Sequence, residues 1–120
     1  PERYDVLINE LMADPSPVVT LPESEYIELW NTSSKILLIS QLKIVKGITF
    51  YDLPKRALAP DEYLIIVPSG DVDKWNGYNN VVGISPFPTL NNDGAMLTLI
   101  DSAGNLIHHV SYDLSSYKKK

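Results

Sequence analysis

Apolar residues along this chain come in short bursts rich in Ile, Val, Leu and Tyr, parted by Pro, Gly, Asn, Asp and Ser. Helical spacing is almost absent, and short bursts between turn residues mark an all-β sandwich or barrel. The first burst, Val6–Met12, is stopped by Asp14-Pro15-Ser16-Pro17. Proline lacks the N–H that a ladder needs, so a loop is expected from there to about Pro22. The second burst alternates: Ile27 and Leu29 share one face, and Tyr26, Glu28 and Trp30 the other. Further strands are expected over residues 36–39, 42–45 and 48–53, and over the continuous apolar run 63–67, which reads as buried on both faces. Leu58-Ala-Pro-Asp-Glu62 is a turn, with Pro60 presetting φ. One helical turn is expected at 71–75, capped by Ser69 or Asp71, with a short strand at 81–84 beyond it. Residues 95–100 and 106–112 flank Asp101-Ser-Ala-Gly-Asn105 and predict a β-hairpin. The same periodicity places Val6, Ile8, Ile27, Leu29, Ile44, Leu64, Ile66, Leu97, Leu99 and Val110 in the core, with register least secure near Glu10.

Composition narrows the picture. One hundred and twenty residues make one domain, and 44% hydrophobic with 21% charged residues is ordinary globular composition. Apolar runs of four or five residues are too short for a membrane-spanning helix, which needs about 20. No segment has signal-peptide order, and an opening at Pro1 without methionine suggests a piece of a longer protein. Without cysteine there are no disulfides, thiolate nucleophiles or cysteine-based zinc sites. Net charge is −5; setting aside the terminal Lys118-Lys119-Lys120 leaves seven cations against fifteen acids, or −8, in the body. A surface of that sign repels phosphate, so no nucleic-acid partner is expected.

No motif carries catalysis. Ser, His and Asp all occur, but no G-x-S-x-G elbow does. His108 and His109 are adjacent, so on a strand they face opposite ways and cannot share a metal; an exposed histidine beside a packed one is expected. Glu10 with Asp14, Asp71 with Asp73, and Asn91-Asn-Asp-Gly94 offer oxygen ligands, but none has the calcium-loop spacing, and the last also suits a tight turn. Glu10 and Glu28 could pair as two carboxylates, as glycosidases use them, or face solvent or a lysine such as Lys43. The expected catalytic, cofactor and metal sets are therefore empty. Tyr26, Glu28, Trp30, Trp75 and Tyr78 form the candidate interaction surface. Exposed aromatic rings recognise proteins and sugars, although a Trp in a small sandwich also serves as a core plug.

The order of the pieces resembles the lamin tail domain in its bacterial versions. The match is carried by Val6-Leu-Ile-Asn-Glu-Leu-Met12 with Asp14-Pro15, Glu25-Tyr-Ile-Glu-Leu-Trp-Asn31, Leu58-Ala-Pro-Asp-Glu-Tyr-Leu-Ile65 and Phe87-Pro-x-Leu-Asn-Asn92. It closes on Leu97-Thr-Leu-Ile-Asp-Ser-Ala-Gly-Asn105 and Val110-Ser-Tyr112. The resemblance implies an all-β, immunoglobulin-like antiparallel β-sandwich with one short helical turn in a loop, spanning residues 1–113, with 114–120 as a C-terminal tail. Bacterial members usually continue past the Tyr112 region into a Gly- and Trp-containing closing segment, so a truncated domain is expected. The resemblance further implies a non-catalytic binding or structural module of a larger bacterial protein, secreted or on the cell surface and joined to other domains. Its expected partner is a protein or polysaccharide. The alternative is a carbohydrate- or calcium-binding accessory domain beside a linked hydrolase.

Overall fold

A computed structural model describes residues 2–12, 25–88, 90 and 95–112. The expected loop at 13–22, the turn at 91–94, Asp14, Asp93 and the lysine tail lie outside the described residues. Two four-stranded sheets face each other. The first has the order β1 (Val6–Met12), β2 (Tyr26–Asn31), β7 (Tyr63–Pro68), β8 (Val81–Ile84). The second has the order β10 (Leu106–Tyr112), β9 (Ala95–Asp101), β4 (Leu42–Lys46), β5 (Thr49–Asp52). A two-stranded ribbon, β3 (Leu37–Leu38) with β6 (Ala57–Leu58), closes one end. This is the all-β sandwich that the period-2 pattern predicts, and no helix of the described residues is long and apolar enough to cross a membrane.

The core lies between the sheets. Nine of the ten residues expected there are buried, and the tenth, Val110, is half-buried and packs against the rest. Alternation also holds on β7, where Leu64 and Ile66 join this core. Ile65 and Val67 turn to a second cluster on the other face, around Tyr26 and Trp75.

Four local expectations change. The strand over 36–39 shrinks to two residues, because Ile39–Gln41 winds into a 3-10 turn. Residues three apart eclipse in that geometry, so Ile39 and Leu42 both reach the core, while Ile36 is left 73% exposed. Gly47, at φ +62, turns the chain before β5, which places Ile48 at a hairpin tip, 94% exposed, instead of in a strand. The helical turn is a seven-residue 3-10 helix, Ser69–Trp75. Pro68 holds its N-cap position without a side-chain hydrogen bond, so Ser69 lies inside the helix and Asp71 in its first turn; neither caps it. Finally, β8 runs parallel to β7. A parallel neighbour needs a crossover, and the 3-10 helix with residues 76–80 supplies it.

The sheets are stitched where their edges meet. A β-bulge between Leu106 and His108 sets His108 opposite Leu99, a core residue, and His109 opposite Thr98. His108 thus turns inward and is half-buried, with His109 exposed. The Ile8 N–H of β1 donates to His108 Nδ1 at 2.9 Å, and the Tyr4 N–H donates to the Ile107 carbonyl at 2.8 Å. These bonds join the first sheet to the second along one seam.

Burial, and then the neighbouring His109, hold the His108 imidazole below the ordinary value of 6.5. Nδ1 must also stay unprotonated to accept the Ile8 N–H. An unfolded chain takes up that proton at about 6.5 and the folded chain only at lower pH, so the stabilisation is complete above about pH 6.5 and drains away below it. Asp101 and Glu62, held low by backbone N–H groups of Asn105 and Ala59, act only in the more acidic carboxylate range. Urea melts should therefore show lower stability at about pH 5 than at about pH 7.5, and His108→Gln should flatten that slope. Equal slopes in the two proteins would remove His108 as the cause.

Candidate functional site

The outer face of the first sheet carries every residue singled out on β2, and its register arranges the side chains in three rows. Leu7, Trp30 and Tyr63 make the first; Glu10, Glu28, Ile65 and Val81 the second; Tyr26 and Gly83 belong to the third, level with Val67. The rows differ in what covers them.

The third row is sealed. The 3-10 helix lies over it, and Trp75, 2% exposed, packs edge-to-face on Tyr26 with ring centroids 5.4 Å apart. Tyr78 follows on the outside, edge-to-face on Trp75 at 5.1 Å. Gly83 is what lets the helix sit so close. A Cβ there would lie 2.6 Å from Val72 Cγ2 and 2.7 Å from the Ser69 Cα, a backbone atom with no freedom to swing aside. Burial and then the Asp71 charge raise the Glu25 carboxyl beside this helix. Tyr26 and Trp75 thus offer no ring to solvent. They plug a secondary core, because an aromatic surface gains more from burial under the helix than from exposure. A hollow of about 360 Å³ opens beside the helix, walled by Trp75, Tyr78, Val72 and Val81 with Asp73 and Asn76. The Trp75 indole N–H is itself buried and has no hydrogen-bond partner among the described residues.

The first row and the Glu10–Glu28 part of the second are open, whereas Ile65 and Val81 pack against the cluster under the helix. Trp30 and Tyr63 are stacked almost parallel, with centroids 5.3 Å apart and planes inclined by 3°. The Trp30 indole N–H donates to Asp61 Oδ1 at 3.0 Å. Asp61 sits at φ +64, and its own N–H donates to the Asn31 carbonyl at 2.8 Å. A turn residue in the left-handed region therefore fixes the plane of a half-exposed tryptophan. Below the stack, Glu10 and Glu28 are direct cross-strand partners. The Tyr26 hydroxyl donates to Glu10 Oε1 at 2.7 Å, and Asn9 Nδ2 donates to Glu28 Oε1 at 2.8 Å. Lys43 belongs to the other sheet, where it pairs with Asp52, so it answers neither glutamate.

Of the five sequence candidates, Glu28 and Trp30 share the open face, Tyr26 and Trp75 are buried, and Tyr78 stands on the far rim of the helix. Tyr63, Asp61 and Glu10 complete the open face and were not singled out for it together. Alternation around Leu64 does point Tyr63 outward, but only the β2–β7 register brings it onto Trp30. Among the described residues, no three His, Asp or Glu side chains gather as a metal site would require.

A model of the Lamin Tail Domain family matches residues 1–113. No curated protein matches the chain.

If Gly83 is what seats the helix, Gly83→Ala should lift it, cost about 1–3 kcal/mol as overpacking does, and shift Trp75 emission to the red. Unchanged emission together with unchanged stability would show that the helix accommodates a methyl group.

Proposed function

The chain belongs to the Lamin Tail Domain family, and from that premise we propose that it is a non-catalytic interaction module within a larger bacterial protein, secreted or held at the cell surface, that binds a protein through the open half of its first sheet. Membership supports the coarse part, since the family is an immunoglobulin-like structural module. The finer part rests on one observation: the Trp30–Tyr63 stack, locked in orientation by Asp61 on the sheet, is left uncovered where the helix seals the other end of that face. Half-exposed rings held in fixed rotamers supply contact area at little entropic cost on binding. The resemblance to bacterial members supports the extracytoplasmic setting. In the full-length protein, Trp30→Ala with Tyr63→Ala should preserve the far-UV spectrum and cut partner recovered from the extracytoplasmic fraction about tenfold, or about 1.4 kcal/mol. Equal recovery would put the binding surface elsewhere, and a protein confined to the cytoplasm would refute the setting.

The hollow beside the helix favours a second reading, a carbohydrate-binding accessory role. Its wall combines aromatic and apolar side chains with Asp73 and Asn76. A sugar ring would pack on the apolar wall while a hydroxyl donates to the carboxylate. With two tryptophans in the chain, the indole N–H resonances are separable, and Trp30→Phe assigns them. A saturable shift of the Trp75 signal with millimolar methyl glycosides is the expected result; a flat titration across glucosides, galactosides and mannosides removes this reading.

A further inference from the structure

We propose that the open half of the first sheet receives a basic, arginine-bearing extended segment of a partner protein, an inference that rests on the interaction role proposed above. It starts from a charge arrangement the fold does not neutralise. Glu10 and Glu28 stand directly opposite each other on adjacent strands, where like charges repel and destabilise a sheet. Each has one oxygen held by a neutral donor, the Tyr26 hydroxyl or the Asn9 amide. No cation among the described residues pairs with either one. The acids in the described ion pairs are Glu2, Asp5, Asp52 and Asp71. Among the described residues, two carboxylates thus stand side by side, oriented and facing outward, without a counter-ion.

One row along the strands, the Trp30–Tyr63 stack provides an oriented pair of aromatic rings, with the Asp61 carboxylate at its edge. The group that answers both features is a guanidinium. It is planar, binds carboxylates through paired N–H groups, and stacks on aromatic rings; an ammonium is a compact, strongly hydrated charge and answers only the acids. Rows on one face of a strand are two residues apart. An extended segment laid along β2 therefore sets one side chain against Glu10 and Glu28 and the next outward-facing one against Trp30. The net charge of −5 works in the same direction, drawing basic chains in and opposing a second copy of this chain on the same face.

The probe is a short peptide alternating arginine with serine, titrated into the intact chain and followed by Trp30 emission, with lysine–serine and glutamate–serine peptides alongside. The arginine peptide should bind about tenfold more tightly than the lysine peptide, and the glutamate peptide should leave emission unchanged. Glu10→Gln with Glu28→Gln should weaken arginine-peptide binding about tenfold while the melting temperature holds or rises, because a repulsion has been relieved. Glu2→Gln with Asp52→Asn, which removes the same charge elsewhere, should leave binding unchanged. Equal weakening by both double variants would overturn the proposal in favour of bulk charge attraction. Equal affinity for the lysine peptide would overturn the role of the aromatic stack. A fall in melting temperature in the glutamine pair would show that the carboxylates serve the fold. If wild type ignores the arginine peptide yet Trp30→Ala with Tyr63→Ala still loses the native partner, the partner chemistry is wrong and the surface stands. If the native partner is retained as well, both fall.

Discussion

One buried amide holds the pieces in place. The Asn31 side chain is the wholly buried polar group in the described core, and its hydrogen-bonding capacity is used on every side. Its Nδ2 donates to the Lys35 carbonyl at 2.8 Å and the Leu58 carbonyl at 2.9 Å. Its Oδ1 accepts from the Ser33 N–H at 2.9 Å and the Ser33 hydroxyl at 2.7 Å. Its backbone N–H donates to the Glu62 carbonyl, and its carbonyl accepts from the Asp61 N–H. One residue therefore ties the end of β2 to the 33–35 turn, to β6 and to the turn that launches β7. Without that amide, the Leu58 carbonyl would lose a hydrogen bond in a buried place, at about 1–3 kcal/mol. The Asp61 geometry that orients Trp30 depends on the same anchor.

A second polar cluster finishes what Asn31 begins. Asn80, at φ +58, donates to Glu62 Oε2 at 2.7 Å and to the Tyr63 carbonyl at 3.2 Å, and accepts from Arg56 Nη2 at 2.7 Å. Glu62 in turn accepts from the Ala59 N–H at 2.8 Å. The crossover is thereby pinned at both ends, by Pro68 leading into the helix and by Asn80 leading out to β8. With its ends fixed, the helix can lie over only part of the sheet. One half of the face becomes core and the other stays free to meet a partner.

How much of this was legible in the chain follows from the range of the forces involved. Tyr26 to Trp30 alternates because neighbouring side chains on a strand point opposite ways, a local rule, so the inward set Ile27 and Leu29 could be read directly. The terminal hairpin was equally local, with Gly104 at φ +89 in its turn. The parallel placement of β8 could not be read, since it depends on where the crossover lands. Nor could the burial of Tyr26 and Trp75, which needs a helix from forty residues further along to come down on the sheet. That landing is written into Gly83, but a lone glycine in a strand pattern reads equally well as a bulge or a bend. The open site was half legible: Glu28 and Trp30 were placed on the outward face, whereas Glu10 and Tyr63 joined them only through pairing between strands distant in sequence. At Ile39, burial was won by a change of backbone geometry that alternation alone does not anticipate.

The uncertain register near Glu10 has its own explanation, a shift in the ladder between Ile8 and Glu10. Ile8 faces Leu29 and Glu10 faces Glu28, so Asn9 is an extra residue with no partner across the ladder. A bulge absorbs it, and Ile8 and Leu11 both stay buried on either side of it. Deleting Asn9 would restore plain alternation without inverting the strand. Lineages that differ by one residue at this point could therefore share the same inner face and the same fold. The extra residue, outside the ladder, is free for another task, and its amide steadies Glu28. A bulge on an edge strand, harmless to the core, thus tolerates the gain or loss of one residue while ordering the acidic surface beside it.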